Sequence, residues 1–261
     1  MAPRAPVVLP LVAALALTGC GGAVDGAGTA PRSGAAGLAG TLTVFAAASL
    51  TDVFSGLGEQ LEADSPGLDV RFTFAASSAL TAQVTQGAPA DVFASANEPQ
   101  MAAVTDAGLA GDPEVFAANV LQVAVPPGNP AGVIGLADLA REDLTVAVCA
   151  PQVPCGAAAA DVLAAAGVTA VSDTLEEDVR AALTKVELGE VDAALVYTTD
   201  IAAAGEGVEG IDVPEAERAV NRYPIAVLRE APNPQAAAAF VELVRSEEGQ
   251  QALADAGFRI P

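Results

Sequence analysis

From Thr41 onward the chain alternates short apolar runs with longer amphipathic ones, and this alternation limits the fold more than any other feature of the sequence. Residues 41–48, 91–94, 120–125, 144–149, 193–197 and 223–228 are apolar runs of strand length, and residues 69–74 alternate as a further strand. Helical patterns lie between them. Leu50, Val53, Phe54, Leu57 and Leu61 share one helix face. Residues 77–84, 98–107, 156–166 and 178–188 also read as helical, and residues 234–256 carry two closing helices. Strands alternating with helices predict an α/β fold built on largely parallel sheet. Hydrophobic residues make up 52% of the chain, enough to build a core, which excludes intrinsic disorder.

The first 40 residues do not follow this pattern. Arg4 precedes an apolar stretch over residues 7–17, which ends in Leu17-Thr18-Gly19-Cys20. Such a stretch falls short of the roughly 20 residues that a membrane-spanning helix needs, and it suits the apolar core of an export signal. The Leu-Thr-Gly-Cys ending resembles a bacterial lipobox, in which the Cys is lipidated and becomes the new N-terminus. Residues 1–19 are therefore expected to be a lipoprotein signal peptide. Residues 20–40 would be a lipidated Cys20 and a Gly-rich flexible tether. The expected location is outside the cytoplasm, anchored to the outer face of the cell membrane.

Composition then removes whole classes of function. The sequence has 33 acidic and 11 basic residues and a net charge of −22, so it has no basic footprint for nucleic acid. It has no His, which rules out Ser-His and Cys-His nucleophilic pairs and His-based zinc sites. In open α/β sheets, ligands bind beyond the carboxyl ends of the strands, against helix N-termini. Ser49 follows the first strand, and Ser77 with Ser78 follows the second. Ala150-Pro-Gln-Val-Pro-Cys155-Gly156 follows residues 144–149, Glu177-Asp178 opens another helix, and Tyr197 ends residues 193–197. Hydroxyls and unpaired main-chain N–H groups thus recur at one edge, a combination suited to an oxyanion. A Ser at a helix start is more often a simple N-cap, so the set carries the inference and no single residue does.

Phe45-Ala46-Ala47-Ala48-Ser49-Leu50, Gly87-Ala88-Pro89-Ala90-Asp91, Glu177-Asp178-Val179-Arg180, Leu195-Val196-Tyr197 and Tyr223-Pro224 occur in that order. Together they resemble the substrate-binding proteins of bacterial ABC-type molybdate transporters, over nearly all of residues 41–261. The resemblance implies a type II periplasmic-binding-protein fold, two α/β lobes joined by two crossover strands with the ligand in the cleft. Residues 41–121 plus 224–261 would form one lobe and residues 122–223 the other. It also implies the ligand set. Ser49 and Ser77 would donate from hydroxyl and N–H, Cys155 and Val179 from main-chain N–H, and Tyr197 from its phenol. Cys155 departs from the small residue, often Ala, usual at that position, but a main-chain donor does not depend on its side chain. Of the neighbouring serines, Ser77 is the favoured one.

Every group in that set is a neutral donor. Molybdate near neutral pH is a fully deprotonated dianion that offers only acceptors, whereas monohydrogen phosphate brings a proton that needs an acceptor. Tungstate, nearly the same in size and charge, is expected to bind as well. Sulfate would have to be excluded by cavity size. Glu177 and Asp178 are expected to cap their helix, and Arg180 to form a surface or lobe-to-lobe ion pair. Cys149 and Cys155 lie outside the cytoplasm on this reading, where they can oxidise to a disulfide bracing the anion loop; the alternative is two reduced thiols. The expectation is a monomeric, lipid-anchored binding protein, not an enzyme. It would hold molybdate or tungstate without a cofactor or any metal beyond that in the oxyanion, and deliver it to a membrane permease. Three rivals remain. One is the same fold binding sulfate or another small oxyanion. Another is a secreted serine hydrolase using Ser49 or Ser77, for which Lys185 is the only lysine in the chain. The third is the sensory domain of a transcription regulator.

Overall fold

A computed structural model describes Gly37–Pro261. The expected signal peptide and Cys20 lie outside these residues. Two five-stranded sheets organise the described residues. The first is built from β1 (Ala39–Ala47), β2 (Gly67–Ala75), β3 (Val92–Ala94), β4 (Glu114–Asn119) and β10 (Asn221–Val227), in the order β2-β1-β3-β10-β4. The second is built from β5 (Leu121–Val125), β6 (Val146–Cys149), β7 (Thr174–Glu176), β8 (Ala193–Tyr197) and β9 (Glu209–Ile211), in the order β7-β6-β8-β5-β9.

Each sheet has a parallel centre, β2-β1-β3 and β7-β6-β8. Both sheets are mixed, which the expectation of largely parallel sheet did not anticipate. β10 runs antiparallel to β3 and β4, and β5 antiparallel to β8 and β9. These two strands follow the points where the chain leaves one sheet for the other. A strand fed from the far sheet enters from the opposite end and has to pair in reverse. Asn119 and Asn221 sit opposite each other at these crossings.

The helices are α1 (Thr51–Asp64), α2 (Ser77–Thr85), α3 (Glu98–Asp106), α4 (Pro154–Ala166), α5 (Val179–Glu187), α6 (Thr198–Ala204), α7 (Pro234–Arg245) and α8 (Glu247–Asp255). Period-two alternation in β1 sends Leu42, Val44 and Ala46 to one face and Phe45 to the other. The first face meets α1, α7 and α8 through Phe54, Phe240 and Leu253. Phe54 stands edge-on to Phe240, with ring centroids 5.3 Å apart, a favoured aromatic geometry. The second face meets α2 and α3 through Leu80, Met101 and Val104. The second sheet has its own core, in which Val123, Val146 and Leu195 pack with Val162, Leu183 and Val186. Among the described residues, no helix is long and apolar enough to cross a membrane.

Candidate functional site

The parallel strands β1, β2, β6, β7 and β8 deliver the chain to one small cavity. Ser49, Ser77, Cys155, Val179 and Tyr197 all line it, contributed by both sheets. Each is at most 5% exposed. Ser78, the neighbour that sequence could confuse with Ser77, is only half-buried and does not line the cavity. Ala47, Ala48, Ala75, Ala76 and Ala96 complete much of the wall. Their small side chains let main-chain groups come close to whatever occupies the space. No Lys or Arg lines it.

Three of the helix starts that face the cavity lack side-chain caps. The 3-10 turn Ala48–Leu50, α2 and α4 have no capping side chain. Helices that start elsewhere are capped: Asn97, Asn233 and Ser246 accept from the N–H groups of Gln100, Ala236 and Gly249. In α2 the first main-chain N–H with a carbonyl partner is that of Ala79, 3.0 Å from the Ala76 oxygen. In α4 it is that of Ala157, 3.0 Å from the Val153 oxygen. The N–H groups ahead of these, including those of Ser77 and Cys155, are the orphan donors of a helix start. Pro154 stands at the first position of α4 and has no N–H, so Cys155 supplies the leading donor there. Asp178 caps α5, with Oδ1 accepting from the Ala181 N–H at 2.9 Å, which leaves the Val179 N–H ahead of the cap. Glu177 makes no such cap. The positive ends of α2, α4 and α5 thus converge on one small volume.

The α4 loop is tightly held. Cys149 and Cys155 are joined by a disulfide. A Cβ on Gly156 would overlap the Ala150 carbonyl and come within 2.7 Å of the Cys149 oxygen, so only glycine lets the loop fold back on the helix here.

A polar network behind the cavity was not legible in the sequence. Ser49 Oγ lies 2.9 Å from Tyr223 Oη. Ser77 Oγ accepts from the Ala96 N–H at 2.9 Å. Asn221 Nδ2 lies 2.8 Å from Tyr197 Oη and 2.9 Å from the Ala96 carbonyl oxygen. Asn119 donates to Thr199 Oγ1 at 2.8 Å and accepts from the Val120 N–H and from Thr198 Oγ1. The available signal was polarity out of place. Asn119, Asn221 and Tyr223 sit at or in apolar strands, where a buried polar group must find a partner. Burial raises the pKa of the Tyr197 phenol well above the usual range, and burial likewise raises that of Tyr223. Both stay protonated and able to donate.

Arg180 does not line the cavity. It pairs with Asp52 on α1, an ion pair between elements of the two sheets, and its Nε lies 3.3 Å from Asp200 Oδ1. Asp200 is fully buried, and its Oδ2 accepts from the Tyr197 N–H at 3.0 Å. Burial pushes its pKa up to about 7, against the pull of Arg180 and of that N–H. Among the described residues, no group of three or more His, Cys, Asp or Glu side chains is placed to hold a metal ion.

The molybdate-binding protein ModA of Mycobacterium tuberculosis is 44% identical over 222 residues, 85% of each chain. Two solved structures share the fold. The periplasmic molybdate-binding protein of Azotobacter vinelandii has a TM-score of 0.71 and 22% identity, covering 84% of this chain and 99% of its own. The sulfate-binding protein SubI of M. tuberculosis has a TM-score of 0.69 and 22% identity, covering 84% of this chain and 86% of its own. The fold is the two-lobed type II fold of periplasmic binding proteins, and the relatives bind solutes rather than transform them. With residues 42–259 matching the bacterial extracellular solute-binding proteins, the chain belongs to that family and, within it, to the relatives of ModA.

Proposed function

We propose that this protein captures molybdate, and tungstate as well, outside the cytoplasm and hands it to the membrane permease of an ABC-type importer. The observation that carries the reading is the cavity itself: it is small, lined by buried residues without Lys or Arg, and faced by the starts of α2 and α4, which lack side-chain caps. On this reading Ser49, Ser77 and Tyr197 donate hydroxyl protons, while Cys155, Val179 and the two serines donate main-chain N–H groups. A fully deprotonated tetrahedral dianion satisfies such a donor set. The protein works as a monomer. Residues 41–121 with 224–261 and residues 122–223 act as lobes that part to admit the ligand and close around it. A lipid on Cys20 tethers it to the outer face of the membrane.

The likeness to SubI concerns the fold, and the much higher identity to a molybdate-binding protein favours molybdate over sulfate. Titration calorimetry with molybdate, tungstate, sulfate and phosphate tests the choice. Molybdate and tungstate should both bind far more tightly than the other two; sulfate matching molybdate would overturn the reading.

A further inference from the structure

We infer that Asn221 is the positioning residue that sets the direction of proton donation at this site, and so its choice among oxyanions. The inference rests on the oxyanion reading given above. The Ala96 carbonyl is only an acceptor, so the amide group of Asn221 must turn its nitrogen toward it, at 2.9 Å. The same nitrogen lies 2.8 Å from Tyr197 Oη. Nδ2 has two hydrogens and accepts nothing, so Tyr197 Oη must receive one of them. The single phenol proton is then directed away from Asn221, toward the cavity that Tyr197 lines and the neighbouring Tyr223 hydroxyl.

Ala96 extends this arrangement to the other lobe. Its N–H donates to Ser77 Oγ at 2.9 Å, which leaves the Ser77 hydroxyl proton for the cavity too. Asn221 and Ala96 thus hold one ligand hydroxyl from each sheet as a hydrogen-bond acceptor toward the protein. Asn221 is placed to do this because it begins β10, where the chain crosses back to the first sheet. With both hydroxyls held as donors, an oxyanion that keeps a proton meets no acceptor from either of them.

The substitution Asn221→Asp reverses the polarity. A carboxylate has no N–H, so it accepts the Tyr197 proton and turns a phenol lone pair toward the cavity. Molybdate and monohydrogen phosphate are both dianions, so the added charge cancels in the ratio of their affinities. Calorimetric titration of the full chain with each anion, at a pH where phosphate is the monohydrogen dianion, should show that ratio falling by about tenfold or more in Asn221→Asp. Thermal unfolding without ligand checks the fold. An unchanged ratio in a folded variant overturns the inference. Should the variant not fold, or phosphate stay below detection, a double-mutant cycle decides the matter. If Asn221 acts through the phenol, Asn221→Ala combined with Tyr197→Phe binds molybdate no more weakly than Tyr197→Phe alone; additive losses overturn the inference. Failure of the unaltered protein to bind molybdate overturns the oxyanion reading, and this inference with it. A molybdate-binding protein with an unchanged ratio overturns the inference alone.

Discussion

A hydroxyl that meets a dianion in a closed cavity makes a charge-assisted bond with little competition from water, and its removal is felt in binding more than in folding. Ser49→Ala and Tyr197→Phe should each cost about 1.5–3 kcal/mol of molybdate binding, and about 1 kcal/mol of the free protein's stability, because each leaves a buried partner, Tyr223 or Asn221, one bond short. Calorimetry on both variants checks this, and unchanged affinity in both would mean the ligand sits elsewhere. Asp200 offers a separate test. Its folded pKa is about 7 against an ordinary 3.8, so the native state holds this proton more tightly than the unfolded chain does. Its contribution should therefore make stability fall as pH rises between those two values, and then level off. Urea unfolding across that window should show the downward trend weakened in Asp200→Asn; the same trend in both proteins would refute the assignment. At this scale the sequence was informative where chemistry followed directly on a strand, as at Ser49, Ser77 and Tyr197. It was silent where partners are remote, as for Tyr223 bonded to Ser49 across 174 positions.

At the scale of elements, the site is built from helix starts. The apolar periods predicted the helices that provide them, but not whether those starts would be capped or left open. Capping depends on a few side-chain atoms, and Asp178 is one residue that could be read correctly in advance. β4, β7 and β9 went unrecognised: β7 and β9 lack the wholly apolar run that marks the equally short β3, and β4 has polar residues at both ends. The loop into α4 carries the firmest prediction. Gly156→Ala would drive a methyl group into main-chain atoms of residues 149 and 150, which cannot move aside as a flexible side chain would. A loss of about 2 kcal/mol or more in stability is expected, together with weaker molybdate binding, since the Cys155 N–H moves with the loop. Chemical unfolding and titration of the variant read both effects, and wild-type values would show that the loop tolerates the methyl.

For the whole molecule, the alternation of strand and helix and the resemblance of five short motifs together gave the two-lobed architecture. The mixed direction of the sheets was hidden because pairing partners lie on opposite sides of the crossings. The net charge of −22 has a kinetic meaning. It repels an approaching dianion at long range, while the neutral donors act only at contact. Salt should screen the repulsion and speed association, with little change in dissociation. Stopped-flow measurements at several ionic strengths test this, and association that slows with salt would point to a local basic field overriding the net charge.

On the binding mode proposed above, main-chain donation from Cys155 and Val179 also bears on how such a site varies over evolutionary time. A contact made by the backbone passes unchanged through substitution of the side chain that carries it, so these side chains are constrained by other duties, Cys155 by its disulfide and Val179 by core packing, and not by the ligand. Selection acts instead on the residues that hold the backbone in place, Pro154 and Gly156 among them. A saturation library screened for molybdate capture should therefore map the supports of the site more sharply than several of its contacts.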